Sequence, residues 1–291
     1  MLIFTYYGSI IFAKGGALCL MDKQARSEAR NQVVVKSNDL IQKTKFDLTL
    51  QQQVIISYLI SKIQPEDEAL KVYEFSVQEF CEVCGIDRTS GKNYDSVKKA
   101  IKEIADKSRW IKLEDGDSAL FRWIESAKIK ENSGTIQIRL NEELKPYLIK
   151  QQMIGHYTQY KFIFTLSFKS KYAFRLYELV KSIHYKDLYS YEKKYTLEEL
   201  KILMGVEDNY KTFSAFRERV LQPAINEINQ YTDKIVSYET KCGKGKKVSD
   251  IILKVSSKST LDISMIEIDL EEKLNEANPI EEDNIVSERW L

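Results

Sequence analysis

A short run of lysines and glycines in the second half of this 291-residue chain is its segment best suited to hold an anion. In Lys241-Cys242-Gly243-Lys244-Gly245-Lys246-Lys247, the glycines suit a tight turn and the lysines supply mobile positive charges. The run lacks the Gly-x4-Gly-Lys-Ser/Thr spacing that cradles nucleotide phosphates, so it gives no support to an ATPase. It predicts contact with a polyanion at the tip of a hairpin.

The cysteines and histidines predict no further chemistry. Cys81 and Cys84 have a spacing found in metal and redox sites, but within one short helix both would face the core. The two histidines, His156 and His184, are far apart in the sequence, which excludes the paired histidines of a metal-dependent nicking enzyme. We therefore expect core packing for the cysteines, no metal or cofactor, a reduced cytoplasmic location and no catalysis.

The lysine run belongs to a segment that repeats an earlier part of the chain. Residues 76–86 align with residues 196–206, and both stretches open with a hydroxyl residue followed three positions later by glutamate, as in a capping box. Both end at a glycine, Gly85 or Gly205, where a helix would stop in a left-handed residue. The chain therefore contains one module twice.

The second module has the clearer pattern of elements. A long amphipathic helix begins near Tyr210, and strands at 234–240 and 248–255 flank the lysine run. Pro223 removes one helical N–H and is expected to kink or divide this helix. The predicted buried stripe of the helix comprises Phe213, Phe216, Val220, Ala224 and Ile228.

The first module follows the same order. Its first helix starts after Thr49, its long helix spans about 94–107, and its hairpin pairs 120–130 with 135–140. Three helices and a hairpin in this order are typical of a winged helix-turn-helix, which places its third helix in the DNA major groove. The sequence thus predicts an α+β fold of tandem winged helix-turn-helix domains related by internal duplication.

Net charge is distributed unevenly along the chain. It is +2 for residues 1–154, +7 for residues 155–258 and −8 for residues 259–291. A basic domain is the expected footprint of a polyanionic partner. We expect winged-helix domain 1 at residues 33–150 and winged-helix domain 2, the main DNA reader, at residues 155–258.

The two ends of the chain lie outside these domains. Residues 1–32 are predicted to be a leader and a disordered amino terminus, because residues 22–32 are polar. Lys14-Gly15-Gly16 is what a purine-rich ribosome-binding site encodes in frame, so Met21 is the expected start; a signal peptide or membrane anchor is the alternative for the leader. Residues 259–291 form an acidic tail, within which 261–274 predict a short helix.

The chain resembles the plasmid replication initiators that bind directly repeated iterons at theta-type origins. Residues 168–179 (FKSKYAFRLYEL) are similar to the first helix of their second winged-helix domain, and residues 216–229 (FRERVLQPAINEIN) to their recognition helix. Residues 36–41 (KSNDLI) resemble the opening of their first domain. The resemblance covers roughly residues 33–258, and the departure is Glu218, where some relatives have a more basic residue.

The resemblance implies a non-enzymatic initiator that binds double-stranded origin DNA at direct repeats and recruits the host initiator and helicase machinery. It also implies a monomer in equilibrium with a homodimer that represses its own promoter, and no membrane partner. A winged-helix transcriptional regulator without an initiation role is the alternative; a scaffold that binds no DNA would leave the lysine run unexplained.

The candidate DNA-binding residues combine the helical wheel with the basic hairpin. Arg219 and Gln222 are expected opposite the buried stripe and Arg217 on its flank, so the second domain should read sequence and the first should add phosphate contacts. The full set is Lys211, Ser214, Arg217, Arg219, Gln222, Lys241, Lys244, Lys246, Lys247, Lys98, Lys99 and Lys102.

Overall fold

The computed structural model of the chain describes residues 21–44, 47–87, 91–112, 117–130, 133–183, 189–243 and 247–277. The helices are, in chain order, α1 (Lys23–Asn31), α2 (Asn38–Gln42), α3 (Leu50–Ser61), α4 (Val77–Cys84), α5 (Gly91–Asp106), α6 (Lys145–Leu148), α7 (Gln151–Ile154), α8 (Ile163–Leu166), α9 (Lys171–Ser182), α10 (Leu197–Leu203), α11 (Phe213–Phe216), α12 (Gln222–Tyr231) and α13 (Thr260–Glu276). The strands are β1 (Val33–Ser37), β2 (Val72–Ser76), β3 (Ser108–Lys112), β4 (Ser118–Arg122), β5 (Ile124–Lys130), β6 (Thr135–Leu140), β7 (Tyr157–Lys161), β8 (Ser190–Thr196), β9 (Lys234–Cys242) and β10 (Val248–Ser257).

The predicted duplication takes the form of two copies of one arrangement. In the first copy, α3, α4 and α5 accompany an antiparallel sheet of order β2-β6-β5. In the second copy, α9, α10 and the helix built from α11 and α12 accompany an antiparallel sheet of order β8-β10-β9. The strand before the second helix pairs each time with the second strand of the hairpin. The predicted α+β fold of tandem winged helices is confirmed.

Hydrogen bonds at their first turns explain where the two short helices begin. Thr196 and Glu199 form the predicted reciprocal box of α10, with the Glu199 N–H donating to Thr196 Oγ1 at 3.1 Å and the Thr196 N–H donating to Glu199 Oε2 at 2.8 Å. Only half of the predicted box forms in α4. Ser76 Oγ accepts from the Glu79 N–H at 2.9 Å, but the Glu79 carboxylate accepts from the Tyr58 hydroxyl at 2.5 Å instead of from the cap.

The stretch predicted as one strand at 120–130 is two strands. Its beginning belongs to β4, which pairs with β3 in a separate hairpin, and β5 starts only at Ile124 and pairs with β6. Phe121 and Trp123 are both buried, with ring centroids 6.2 Å apart. Their apolar alternation continues across the bend between the strands, and this is why the sequence pattern does not reveal the break.

Residues 22–32, predicted to be disordered, form a helix that is anchored to the first module. In α1, Arg26 and Arg30 are fully buried. Arg30 donates through Nη2 and Nε to the carbonyl oxygens of Glu82 and Val83, each at 2.8 Å, and Arg26 Nη2 lies 3.3 Å from the Glu82 carboxylate. The polar composition is misleading here because Arg30 donates to the last carbonyls of α4 and Arg26 pairs with the Glu82 carboxylate, so neither side chain needs water.

The helix predicted in the acidic tail is confirmed as α13, which leaves the second module and packs on the first. Leu270 and Leu274 are buried, and Glu271 Oε2 accepts from Arg30 Nη1 at 2.7 Å. Gly85 ends α4 with φ +64°, as predicted, and a Cβ added there would lie 2.6 Å from Leu274 Cδ2. The left-handed glycine thus leaves room for α13 to approach α4 closely.

A small sheet and a buried ion pair join the two modules. Strands β1 and β7 pair antiparallel, so the predicted domains at 33–150 and 155–258 share this sheet. Lys36 Nζ of β1 lies 2.6 Å from Glu178 Oε1 of α9, and the Tyr160 hydroxyl donates to the same oxygen at 2.7 Å.

Other expectations concern the ends of the chain and membranes. Two predictions concern residues outside the described ranges: the leader at 1–20, on which the expected start at Met21 rests, and the tail beyond 277. Within those ranges, none of the helices combines the length and apolar character needed to cross a membrane.

Candidate nucleic-acid interface

The third helix of the second module is continuous from α11 to α12 through a π-helical turn, Arg217–Leu221. At this turn the Gln222 N–H donates to the Arg217 carbonyl, five residues back. Pro223 follows immediately, has no N–H to donate, and in a regular α-helix would press its ring against the carbonyl four residues earlier. The wider turn accommodates the proline, so the division predicted at Pro223 occurs as a π turn.

The buried side of this helix matches the predicted stripe. Phe216, Val220, Ala224 and Ile228 are fully buried, and Phe213 is partly buried. Two residues outside the stripe, Leu221 and Ile225, are also buried. This packing holds the helix against the module and fixes which side chains remain outside.

The other side of the helix carries four of the candidate residues. Ser214, Arg217, Arg219 and Gln222 are all exposed, and Gln222 Nε2 donates to Asn226 Oδ1 at 2.9 Å. Amide, hydroxyl and guanidinium groups on one exposed helical face suit hydrogen bonding to base edges and phosphates. Lys211 is exposed too but stands outside the helix, because Thr212 is the N-cap and accepts from the Ala215 N–H at 3.3 Å.

Glu218, noted from the sequence only as a departure from the family, occupies the centre of the exposed face. It is two residues from both Phe216 and Val220, which are buried, and Glu218 itself is exposed, so it lies on the far side of the helix. Arg217 and Arg219 each adjoin one of these buried residues and therefore flank the carboxylate. The sequence predicts Arg219 and Gln222 opposite the buried stripe and does not identify Glu218 as part of this face.

Two hydrogen bonds hold the Glu218 carboxylate. Its Oε1 atom accepts from Ser214 Oγ at 2.9 Å and from Arg217 Nη2 at 3.2 Å. The hydrogen bond from Ser214, followed by that from Arg217, lowers the pKa of Glu218 from its ordinary value. The group is therefore a carboxylate at neutral pH, and its side chain is 62% exposed.

The basic hairpin beside this helix is formed by β9 and β10. Lys241 and Lys247 are exposed near its tip, where the Gly243 N–H donates to the Lys247 carbonyl at 2.8 Å. Lys244 and Lys246 lie outside the described residues. The described part of the tip therefore presents two exposed lysines, which are flexible point charges, at the end of the hairpin.

The three candidate lysines of the first module lie on its own third helix. Val97, Ala100, Ile101 and Ile104 of α5 are buried. On the exposed side, Lys98 Nζ is 6.0 Å from the centroid of the Tyr94 ring, and Lys99 Nζ is 3.9 Å from Glu103 Oε1. Lys102 is exposed. The face is rich in lysine and carries no arginine, which suits phosphate contact better than bidentate base reading.

The Cys81 and Cys84 thiols are buried in α4, which confirms their predicted core packing. Burial, followed by the Glu82 carboxylate, raises the pKa of Cys81 to about 11, and burial raises the pKa of Cys84 well above its usual range. Both thiols therefore stay protonated. In the ranges that the structure covers, no cluster of three or more His, Cys, Asp or Glu side chains is placed to hold a metal.

Comparisons with known proteins agree with this arrangement. Residues 33–181 match the family described as "Initiator Replication protein, WH1", and residues 196–255 match "Initiator Rep protein, WH2". A "Replication initiation protein" of Escherichia coli is 24% identical over 238 residues, which are 79% of this chain and 72% of that protein.

A solved structure shows a likeness of fold. "Crystal structure of Pi initiator protein in complex with iteron DNA" superposes with a TM-score of 0.65 at 17% identity, over 79% of this chain and 99% of that one. The family matches extend over both winged-helix modules and most of the chain. The chain therefore belongs to the family of plasmid replication initiators with a WH1 and a WH2 domain.

Proposed function

We propose that this protein initiates plasmid replication by binding directly repeated duplex DNA at its origin through both winged-helix modules. The observation that carries the proposal is the exposed polar face of the α11–α12 helix, with the lysines of the β9–β10 tip in the same module. Its structural relative is the Pi initiator protein in complex with iteron DNA, and this chain aligns with 99% of that relative's chain.

The two modules divide the work between sequence and backbone. The second module presents Arg217, Arg219 and Gln222 on a helix of the kind that enters the major groove. The first module presents lysines on α5, which contact phosphates as point charges and fix the register of the protein on the duplex. Binding therefore combines base reading by one helix with sequence-independent attraction from the other module.

Direct repeats and salt dependence test this function. The protein would select its preferred duplex from a random-sequence pool, and fluorescence anisotropy would compare one copy, two direct copies and a scrambled duplex at several salt concentrations. With about six phosphate contacts, log K should fall with log salt at a slope of about −5. Equal affinity for the scrambled duplex, or a flat response to salt, would contradict the proposal.

Replication itself separates an initiator from a transcriptional regulator. The gene supplied in trans should maintain a plasmid that carries the selected direct repeats beside an AT-rich segment and has no other origin. Maintenance would also support recruitment of the host initiator and helicase machinery, which the chain cannot replace if it lacks enzymatic activity. A protein that binds the repeats tightly but never maintains the plasmid would be a regulator.

The same function includes a dimer that represses the initiator's own promoter through an inverted repeat. The edge strand β5 supports this, because in the described residues the order β2-β6-β5 leaves one of its sides without a neighbouring strand. Such an edge can pair with a second chain. Sedimentation of the full chain should show a concentration-dependent dimer in cytoplasm-like buffer; a monomer at every accessible concentration would rule the dimer out.

A further inference from the structure

The carboxylate of Glu218 lies where a DNA-binding helix would be expected to avoid negative charge. The second module is basic, and its third helix must approach a duplex that carries a phosphate on every nucleotide. A carboxylate at the centre of the exposed face is repelled by those phosphates. It suits the interface only if it meets a hydrogen-bond donor there, and in the major groove the donors are the amino groups of cytosine and adenine.

The two oxygens of this carboxylate differ in their bonding. Oε1 receives both hydrogen bonds, from Ser214 Oγ at 2.9 Å and from Arg217 Nη2 at 3.2 Å. Oε2 accepts no hydrogen bond from the described residues. One oxygen therefore anchors the side chain to its own helix, while the other remains available as an acceptor beyond the helix surface.

We propose, on the basis of the proposed DNA-binding function, that Glu218 reads sequence by accepting a hydrogen bond from the N4 amino group of a cytosine. Cytosine presents only this donor in the major groove, whereas adenine adds the N7 acceptor beside its amino group, and N7 repels a carboxylate. The Arg217 guanidinium, bonded to Oε1, offsets the charge of Glu218 and lowers its repulsion from the phosphates. Glu218 is thus a specificity-determining residue of this chain.

Position in the helix agrees with this role. Glu218 lies in the second turn after the Thr212 cap, and the first turns of a recognition helix are those that reach base edges. Ser214, four residues earlier, holds the carboxylate in place without adding charge. A glutamate that is only a solvated surface residue would make no hydrogen bond to its own helix. A residue that only positions Arg217 would not distinguish cytosine from other bases.

Base preference at each position of the selected duplex tests the proposal. Wild-type protein should prefer cytosine at one position by about 5- to 140-fold, the factor that a good base contact provides. Glu218→Ala should remove that preference, and Glu218→Gln should shift it toward adenine, because glutamine pairs with adenine N6 and N7. Glu272→Gln removes a matched exposed charge on α13 and should leave every preference unchanged.

A base analogue isolates the hydrogen bond itself. Replacing the cytosine by 2-pyrimidinone deletes its 4-amino group and leaves the opposing guanine in place. The analogue should weaken wild-type binding more than it weakens binding of Glu218→Ala. Equal weakening, or unchanged preferences in both Glu218 variants, would overturn the role of Glu218 while leaving DNA binding intact. A wild-type protein without any base preference would instead contradict the proposed function as well.

Discussion

Replacing Lys36 by methionine should show how strongly the two modules are held together. The side chains of Lys36 and Glu178 are only 7% and 9% exposed, and their charged atoms are 2.6 Å apart. Methionine has a similar length but no charge. The Glu178 carboxylate would then remain buried with the Tyr160 hydroxyl, at 2.7 Å, as its nearest donor.

The expected loss in the free energy of unfolding follows from this geometry. Removing one partner of a buried ion pair costs about 3–5 kcal/mol, because the remaining charge stays out of water. The Tyr160 hydrogen bond compensates in part, so we expect about 3 kcal/mol. Replacing Glu178 by methionine as well removes the buried charge, and Tyr160 keeps Ser57 as a partner at 3.3 Å. The double variant should therefore lie within about 1 kcal/mol of the wild type.

Urea unfolding followed by circular dichroism and by tyrosine fluorescence would measure both variants. Lys273→Met is the matched control, since it removes a lysine from an exposed i,i+4 pair with Asp269 that water screens, so it should change the free energy of unfolding little. If Lys36→Met costs no more than this control, the buried pair does not hold the modules. A double variant as unstable as the single one would show that the cost is not that of an unpaired buried charge.

Three other variants address the interface and the packing of α13. Changing Lys241 and Lys247 to glutamine should weaken binding to the selected duplex and to random duplexes equally. In anisotropy titrations, the slope of log K against log salt should become less steep by about 1.8. Weaker binding to one duplex alone would contradict a phosphate role. Arg219→Ala should weaken binding to the selected site by about 1–3 kcal/mol and reduce the base preference at one position. Equal weakening of binding to all sequences would indicate phosphate contact alone. Gly85→Ala should lower the free energy of unfolding by about 2–4 kcal/mol, because φ is +64° and the Cβ would meet Leu274; a loss below about 0.5 kcal/mol would refute the close approach.

Local patterns in the sequence predicted the modules well. The stripe from Phe216 to Ile228 and the left-handed Gly85 follow from periodicity and helix-end chemistry, which act over a few residues. The centre of the exposed helical face could not be predicted, because it depends on the π turn and on which apolar side chains become fully buried. The sequence shows Glu218 only as a departure from relatives, since the bonding of its two oxygens depends on side-chain positions.

Features that depend on distant partners were missed. Arg26 and Arg30 look like solvated side chains in the sequence, and their burial is explained only by α4, through the Glu82 carboxylate for Arg26 and two carbonyls for Arg30. The β1–β7 sheet joins segments more than a hundred residues apart, and each strand alone is short. The Glu79 carboxylate does not form the predicted hydrogen bond to the cap, because it accepts from the Tyr58 hydroxyl of another helix instead.

The position of α13 links the first module to the order in which the chain is synthesised. Ribosomes make α1 and α4 early. Arg30 can donate its hydrogen bond to Glu271, and Leu274 can pack against Gly85, only once α13 has been made. The half of the protein that is translated first therefore completes its packing last. A chain that stops before α13 would carry both winged helices but leave Arg30 without this carboxylate, so the first module is completed only after translation has passed through the second module and α13.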